Sequence, residues 1–218
     1  VNRLVGSDFV PAQWRHRAFF NPHASRIEVH LEVSSECEWR LKERRRNLTG
    51  RTGCGLCGTD SLSMVHQALP VLPEVLVTPA AVTHAVRALR SEQPRQQITG
   101  ATHAAALCRL SDGAIVLARE DVGRHNALDK LIGAALRQGI DSRQHFIAVT
   151  SRASFEMVQK AAHAGVSVLA AVSAPTAMAV DLALEARLLL LGFVREERLV
   201  AYTFAERIVP QAALAMAD

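Results

Sequence analysis

Aromatic side chains are scarce in this sequence, at 5% of 218 residues with a single tyrosine. That is too thin a supply for the stacking platforms that bind single-stranded nucleic acid. Charge of one sign is also lacking: 25 Lys and Arg against 21 Asp and Glu leave +4, enough to suit an anionic ligand or partner and no more. Long apolar runs are missing too. Arg3 interrupts the N-terminus before a signal peptide or membrane helix could form, and the longest apolar run, residues 188–194, is only strand-sized. The expectation is a cytoplasmic chain with no membrane and no nucleic-acid partner. Its four cysteines should then stay reduced unless they have a sulfur or redox task. What is present is 49% hydrophobic and 21% charged residues, which excludes a disordered or fibrous protein. The length suffices to bury a core without disulfides or a structural metal.

Residues 1–25 show no clean period and read as an irregular N-terminal segment, with one domain over residues 26–218. Ile27, Val29, Leu31 and Val33 alternate with Glu28, His30 and Glu32, the pattern of a half-buried strand. A basic run follows, with Arg40, Lys42, Arg44, Arg45, Arg46 and Arg51 against Glu43. Residues 50–58 then carry Gly50, Gly53, Gly55 and Gly58 around Cys54 and Cys57, which a helix or strand interior would not tolerate, so this is a loop. Asp60 or Ser61 can cap a short helix running toward Leu69. Thr78-Pro79 is a cap and first-turn pair for a helix through Arg90. Beyond it, strands at 114–118, 146–150, 166–172 and 188–194 alternate with helices at 126–138, 154–164 and 175–186, and 199–203 returns as a hairpin. Uniformly apolar strands between helices predict an α/β fold with a largely parallel sheet covered on both faces.

The Cys54-x-x-Cys57 pair admits sulfur or redox chemistry, half of a zinc site, or two buried thiols. Flanking glycines favour a mobile loop, and the nearby arginines favour the thiolate that attacks sulfur. Cys37 and Cys108 stand alone and read as packing. Thr150 to Ser154 and Ser173 to Thr176 each follow a buried strand and open a helix, where phosphates are often held, although ordinary helix capping would look the same. Gly123-Arg124-His125 sets a cation and an imidazole at a strand end; a lone histidine there is more often structural than catalytic. Phe193-Val194-Arg195-Glu196-Glu197-Arg198 is a charged tip between two apolar strands, equally the pattern of a solvated hairpin.

Several strings together resemble the formate dehydrogenase accessory sulfurtransferases of the FdhD family. They are Leu41 to Arg46, Gly50 to Gly58, Thr99 to Ala106, Glu120 to Leu131, Ser151 to Lys160 and Val172 to Thr176, in order between Ile27 and Arg207. The resemblance implies a cytidine deaminase-like α/β/α sandwich. It implies a sulfur carrier that moves persulfide sulfur from a cysteine desulfurase to the molybdenum bis(molybdopterin guanine dinucleotide) cofactor for formate dehydrogenase. By the same likeness Cys54 holds the persulfide and Cys57 assists. Phe193, Val194, Arg195, Glu196, Glu197 and Arg198 then contact the cofactor, which is a bound substrate; no tightly held metal is implied, and a homodimer is left open. Two departures stand out. The family has a long segment ahead of the basic run that Val1 to Asn21 do not resemble, and it has a glycine where Glu196-Glu197 stand here. A non-covalent chaperone that binds and delivers the cofactor is the alternative. A zinc deaminase is a third reading, but Gly53 precedes the first cysteine and no upstream His-x-Glu or Cys-x-Glu accompanies it.

Overall fold

The computed structural model describes residues 15–21, 26–32, 34, 35, 38, 39, 68–196 and 198–210. The basic run, the glycine-rich Cys54–Cys57 loop, Cys37, Glu197 and the helix expected after Asp60 lie outside the described residues.

Strands β1 (Arg15–Asn21) and β2 (Arg26–Glu32) form an antiparallel two-stranded ribbon. The remaining strands are β3 (His103–Arg109), β4 (Ile115–Asp121), β5 (His145–Val149), β6 (Val168–Ala171), β7 (Leu189–Arg195) and β8 (Arg198–Ala201). They make one six-stranded sheet in the order β4-β3-β5-β6-β7-β8. The pairs β5–β6 and β6–β7 are parallel, whereas β4–β3, β3–β5 and β7–β8 are antiparallel. The sheet is therefore parallel at its centre, as the apolar strands between helices predict, and its flanks are hairpins.

Among the described residues the flanking helices are α1 (Pro79–Leu89), α2 (Pro94–Thr99), α3 (Arg124–Arg137), α4 (Phe155–His163) and α5 (Ala177–Glu185). Side chains alternate across each strand, so every strand feeds two cores. Ala105, Leu107, Ile147, Val149, Leu169 and Leu190 pack with α3, α4 and α5 on one face. Ala104, Ala106, Cys108, Phe146, Ala148 and Leu189 pack with α1 on the other. This is an α/β/α sandwich. No helix among the described residues is long and apolar enough to cross a membrane.

The expected helices within the described residues form with shifts of one or two residues at their ends. Thr78 caps α1 as predicted, its hydroxyl accepting from the Ala81 amide at 3.1 Å. β1, β3 and α2 appear where periodicity gives no sign. β3 reads as alanine-rich, a composition that disfavours strands in isolation, yet Ala104, Ala105 and Ala106 are fully enclosed between the two helical layers. Helix α2 has six residues and owes its place to Glu120 of β4. That carboxylate accepts from the Arg95 and Gln96 amides at 3.0 and 2.9 Å and from the Thr102 hydroxyl at 2.9 Å. Burial alone raises the pKa of Glu120, but these donors outweigh it and hold the carboxyl below its ordinary value of 4.5.

The native value of Glu120 is lowered, so its contribution to stability is complete above the ordinary carboxylate range and is lost as pH falls through the lowered value. Glu120→Gln turns an amide N–H toward donors already pointing at the site. It should cost about 1–3 kcal/mol at neutral pH, and denaturant melts of the variant should fall off less steeply toward acid than those of the parent.

Candidate functional site

The strand directions decide where the charged strings meet. β5, β6 and β7 run parallel, β3 runs against β5, and β4 runs against β3. The ends of β4, β5, β6 and β7 and the start of β3 therefore lie along one edge of the sheet. In open α/β sheets such an edge is where ligands bind.

A continuous line of contacts runs along it. At the β3–β5 step the Ala104 amide donates to the Thr150 hydroxyl at 2.9 Å, and the Thr150 amide donates to the Ala104 carbonyl at 3.1 Å. The turn after β4 meets the loop after β5 where His125 Nε2 lies 3.2 Å from Ser154 Oγ. That loop meets the next where Ala153 bridges to Pro175, with the Thr176 amide donating to the Ala153 carbonyl at 3.0 Å. The loop after β6 then meets β7, where the Phe193 amide donates to the Ser173 carbonyl at 3.4 Å. Strings separated in sequence by up to 90 residues thus form one surface.

Most charges on this edge are committed to each other. Asp121 receives Lys130 Nζ, the Gly123 amide at 2.9 Å and Asn126 Nδ2 at 3.2 Å. Burial raises its carboxyl, but the Lys130 hydrogen bond and the other donors bring it below the usual range. Lys160 Nζ joins Asp129 Oδ2 at 2.9 Å and the His125 carbonyl at 3.3 Å, tying the start of α3 to α4. Burial pushes the Asp129 carboxyl above its usual value despite Lys160. His125 Nε2 faces Ser154 Oγ and also Glu156 Oε2, the latter at 3.0 Å. A nucleophile–base–carboxylate relay needs the two partners on opposite ring nitrogens. Here both meet Nε2, and Ser154 is buried, so His125 ties the start of α3 to the loop after β5 and to α4. Among the described residues no cluster of three or more His, Cys, Asp or Glu is gathered to hold a metal ion.

The tip at the end of β7 has a different character. The pairing of β7 with β8 shifts register between Gly192 and Arg195, and Phe193 sits at φ +50°. A bulky residue in the left-handed region is an outlier, and such strain gathers where surroundings over-determine a conformation. The bulge keeps Val194 in the core while leaving Phe193 42% exposed. Gly192 makes the close approach feasible: a Cβ there would lie 2.9 Å from the Tyr202 ring and 3.0 Å from Pro175 Cδ. Arg195 and Arg198 are directly opposite in register and both exposed, a like-charge pair that an anion would relieve. Glu196 turns the corner at φ +45°, a left-handed conformation that glycine adopts without strain.

Cys108 lies fully buried on the α1 face of β3, as its solitary position in the sequence suggests. Burial pushes its thiol up to about 12, so it is inert as a nucleophile at neutral pH. His103 opens β3 on this same edge; periodicity does not single it out, although it lies inside the Thr99 to Ala106 string.

Residues 18–209 match the model of the FdhD/NarQ family. The chain belongs to that family. It is 52% identical over 188 residues to a Bordetella petrii protein named sulfur carrier protein FdhD, covering 86% of this chain and 67% of that one. It is 55% identical over 183 residues to a Variovorax paradoxus protein of the same name, covering 84% and 66%. The chain therefore spans about two thirds of the length of these curated relatives. Among solved structures it resembles a candidate formate dehydrogenase accessory protein from Desulfotalea psychrophila, with a TM-score of 0.66 at 23% identity, covering 95% of this chain and 77% of that one. That likeness shows that the FdhD/NarQ chain has the fold of its structural neighbour.

Gly192→Ala should displace the tip and cost about 1–3 kcal/mol through overpacking. Adding Tyr202→Ala to it should recover part of the loss, since one of the clashing atoms is removed; thermal melts of the single and double variants measure this.

Proposed function

We propose that this chain is a sulfur carrier for formate dehydrogenase maturation in the cytoplasm, with Cys54 as the sulfur-bearing residue. The reading is carried by family membership together with relatives above 50% identity that bear the sulfur carrier name. The neighbouring structure of a formate dehydrogenase accessory protein supports the same direction.

In this reading the Cys54 thiolate attacks the outer sulfur of a persulfide on a cysteine desulfurase. The donor S–S bond breaks, the donor cysteine leaves as a thiolate, and Cys54 holds the sulfur as a persulfide. Cys57 then attacks the inner sulfur, forming a Cys54–Cys57 disulfide as the outer sulfur departs as sulfide for the molybdenum bis(molybdopterin guanine dinucleotide) substrate. A cellular thiol reductant restores both cysteines. The paired Arg195 and Arg198, the exposed Phe193 and the neighbouring Glu196 form the tip assigned to the substrate's guanine nucleotide end, with the loop at Ser173 beside it; the side chain of Val194 is in the core and so offers only its backbone. Two cations in register and an exposed aromatic suit a phosphate-bearing heterocycle.

Intact-mass analysis after incubation with a cysteine desulfurase and cysteine tests the covalent step. The parent chain should gain about 32 Da, one sulfur atom on a thiolate. Cys54→Ala should gain none, Cys57→Ala should load at least in part but turn over poorly, and Cys108→Ala should load like the parent. Loading in the Cys54→Ala, Cys57→Ala double variant would overturn the mechanism. No loading in the parent, with guanine nucleotide still bound, would favour a non-covalent delivery chaperone instead.

A further inference from the structure

The face of the β7–β8 hairpin that looks toward α5 carries an exposed apolar strip beside the charged tip. Leu190 packs with α3, α4 and α5, whereas Leu191, Leu199 and Ala201 pack with α1 on the other face. Alternation along the strands therefore puts Gly192, Arg198 and Val200 on the α5 side. Tyr202 lies one residue past β8, but its amide still donates to the Leu190 carbonyl at 2.9 Å, so it keeps the alternation and joins them. The register sets Val200 opposite Gly192 and Arg198 opposite Arg195.

Tyr202, the one tyrosine of the chain, is held from behind. A Cβ at Gly192 would lie 2.9 Å from Tyr202 Cε2, 3.0 Å from Pro175 Cδ and 3.3 Å from the Ser173 carbonyl oxygen. The tyrosine ring and Pro175, in the loop after β6, therefore close on the Gly192 backbone from the same side. The outer side of the ring is open: Tyr202 is 36% exposed and its neighbour Val200 46%. Residues two apart on one face of a strand are separated by about 6.6 Å, so the arginine pair, Val200 and Tyr202 form a row about 13 Å long. That row is cationic at one end and aromatic at the other.

We infer that Tyr202 is the residue on which the base of a bound nucleotide stacks, with its phosphates at Arg195 and Arg198 and its ribose across Val200. The inference rests on the nucleotide-binding tip proposed above. It adds to that tip a residue outside the charged string and an orientation, with the base toward the loop after β6 and the phosphates toward the end of the hairpin. A ring already seated on glycine and proline loses little freedom when a base covers it, which favours binding. The paired guanidinium groups suit the phosphates. Stacking is tolerant of base identity, so Tyr202 adds affinity for a nucleotide over free phosphate rather than a choice among bases.

A single tyrosine makes the test direct, because fluorotyrosine incorporated into the full chain gives one fluorine NMR signal. Guanosine diphosphate should move that signal saturably. Guanosine should move it in the same direction at higher concentration, whereas inorganic pyrophosphate, which occupies only the arginine end, should leave it in place. Tyr202→Ala should weaken guanosine diphosphate binding about tenfold and keep pyrophosphate binding, which also reports that its tip is folded. Tyr202→Phe should bind the nucleotide like the parent. If guanosine diphosphate binds the parent while the signal stays still and Tyr202→Ala binds as tightly, the inference is wrong and the nucleotide-binding tip stands. If guanosine diphosphate does not bind the parent, both fail. A signal that moves with protein concentration and ignores the nucleotide would assign the strip to a second copy of the chain and overturn the inference as well.

Discussion

Everything on the candidate surface depends on the directions in which β3 to β7 are hydrogen-bonded. Two parallel steps at the centre and two antiparallel steps on one flank bring four strand ends and one strand start to the same edge. A strand slipped by one residue would exchange the two cores, because Ala104 and Ala105 face opposite helical layers. It would also turn His103 and Asp121 away from α3 and release Glu120 from α2. The fold's two-sided core and the composition of its edge therefore come from one register.

Along that edge, charge is divided unequally. Asp121, Asp129 and Glu156 are each met by a cation or a histidine, and Glu120 by backbone amides. These contacts fasten loops to helices and leave the carboxylates little further chemistry. The groups turned outward are of another kind: Arg195 and Arg198 side by side at the tip and the exposed ring of Phe193. A surface whose acids are mostly engaged internally, and whose two arginines are exposed at its tip, is suited to an anionic ligand. The mild net charge of +4 already leans that way.

The alternation of strands and helices was legible because β5, β6 and β7 are largely apolar and the first two are each followed by a helix, α4 and α5. β3 was not, since its alanines carry no strand preference and become a strand only when two helical layers close on them. Nor was α2, whose anchor Glu120 lies 25 residues beyond Arg95 and 24 beyond Gln96. β1 lies in a stretch without periodicity, and its pairing with β2 is visible only in the register itself. The tip was legible as a charged hairpin, but not the left-handed Phe193 that exposes its ring, because a bulge depends on the close approach of Gly192 to Tyr202 and Pro175. The roles of Cys54 and Cys57 rest on their motif and the family, as both lie outside the described residues.

The central claim is that strings distant in sequence form one ligand surface at this edge. Backbone amide shift mapping with a guanine nucleotide tests it most directly. The account predicts perturbations gathered at residues 102–103, 121–125, 150–154, 173–176 and 193–198, with the opposite edge around Asp112, Gly139 and Gly165 unmoved. Perturbations centred on that opposite edge, or confined to one loop with the others silent, would contradict it.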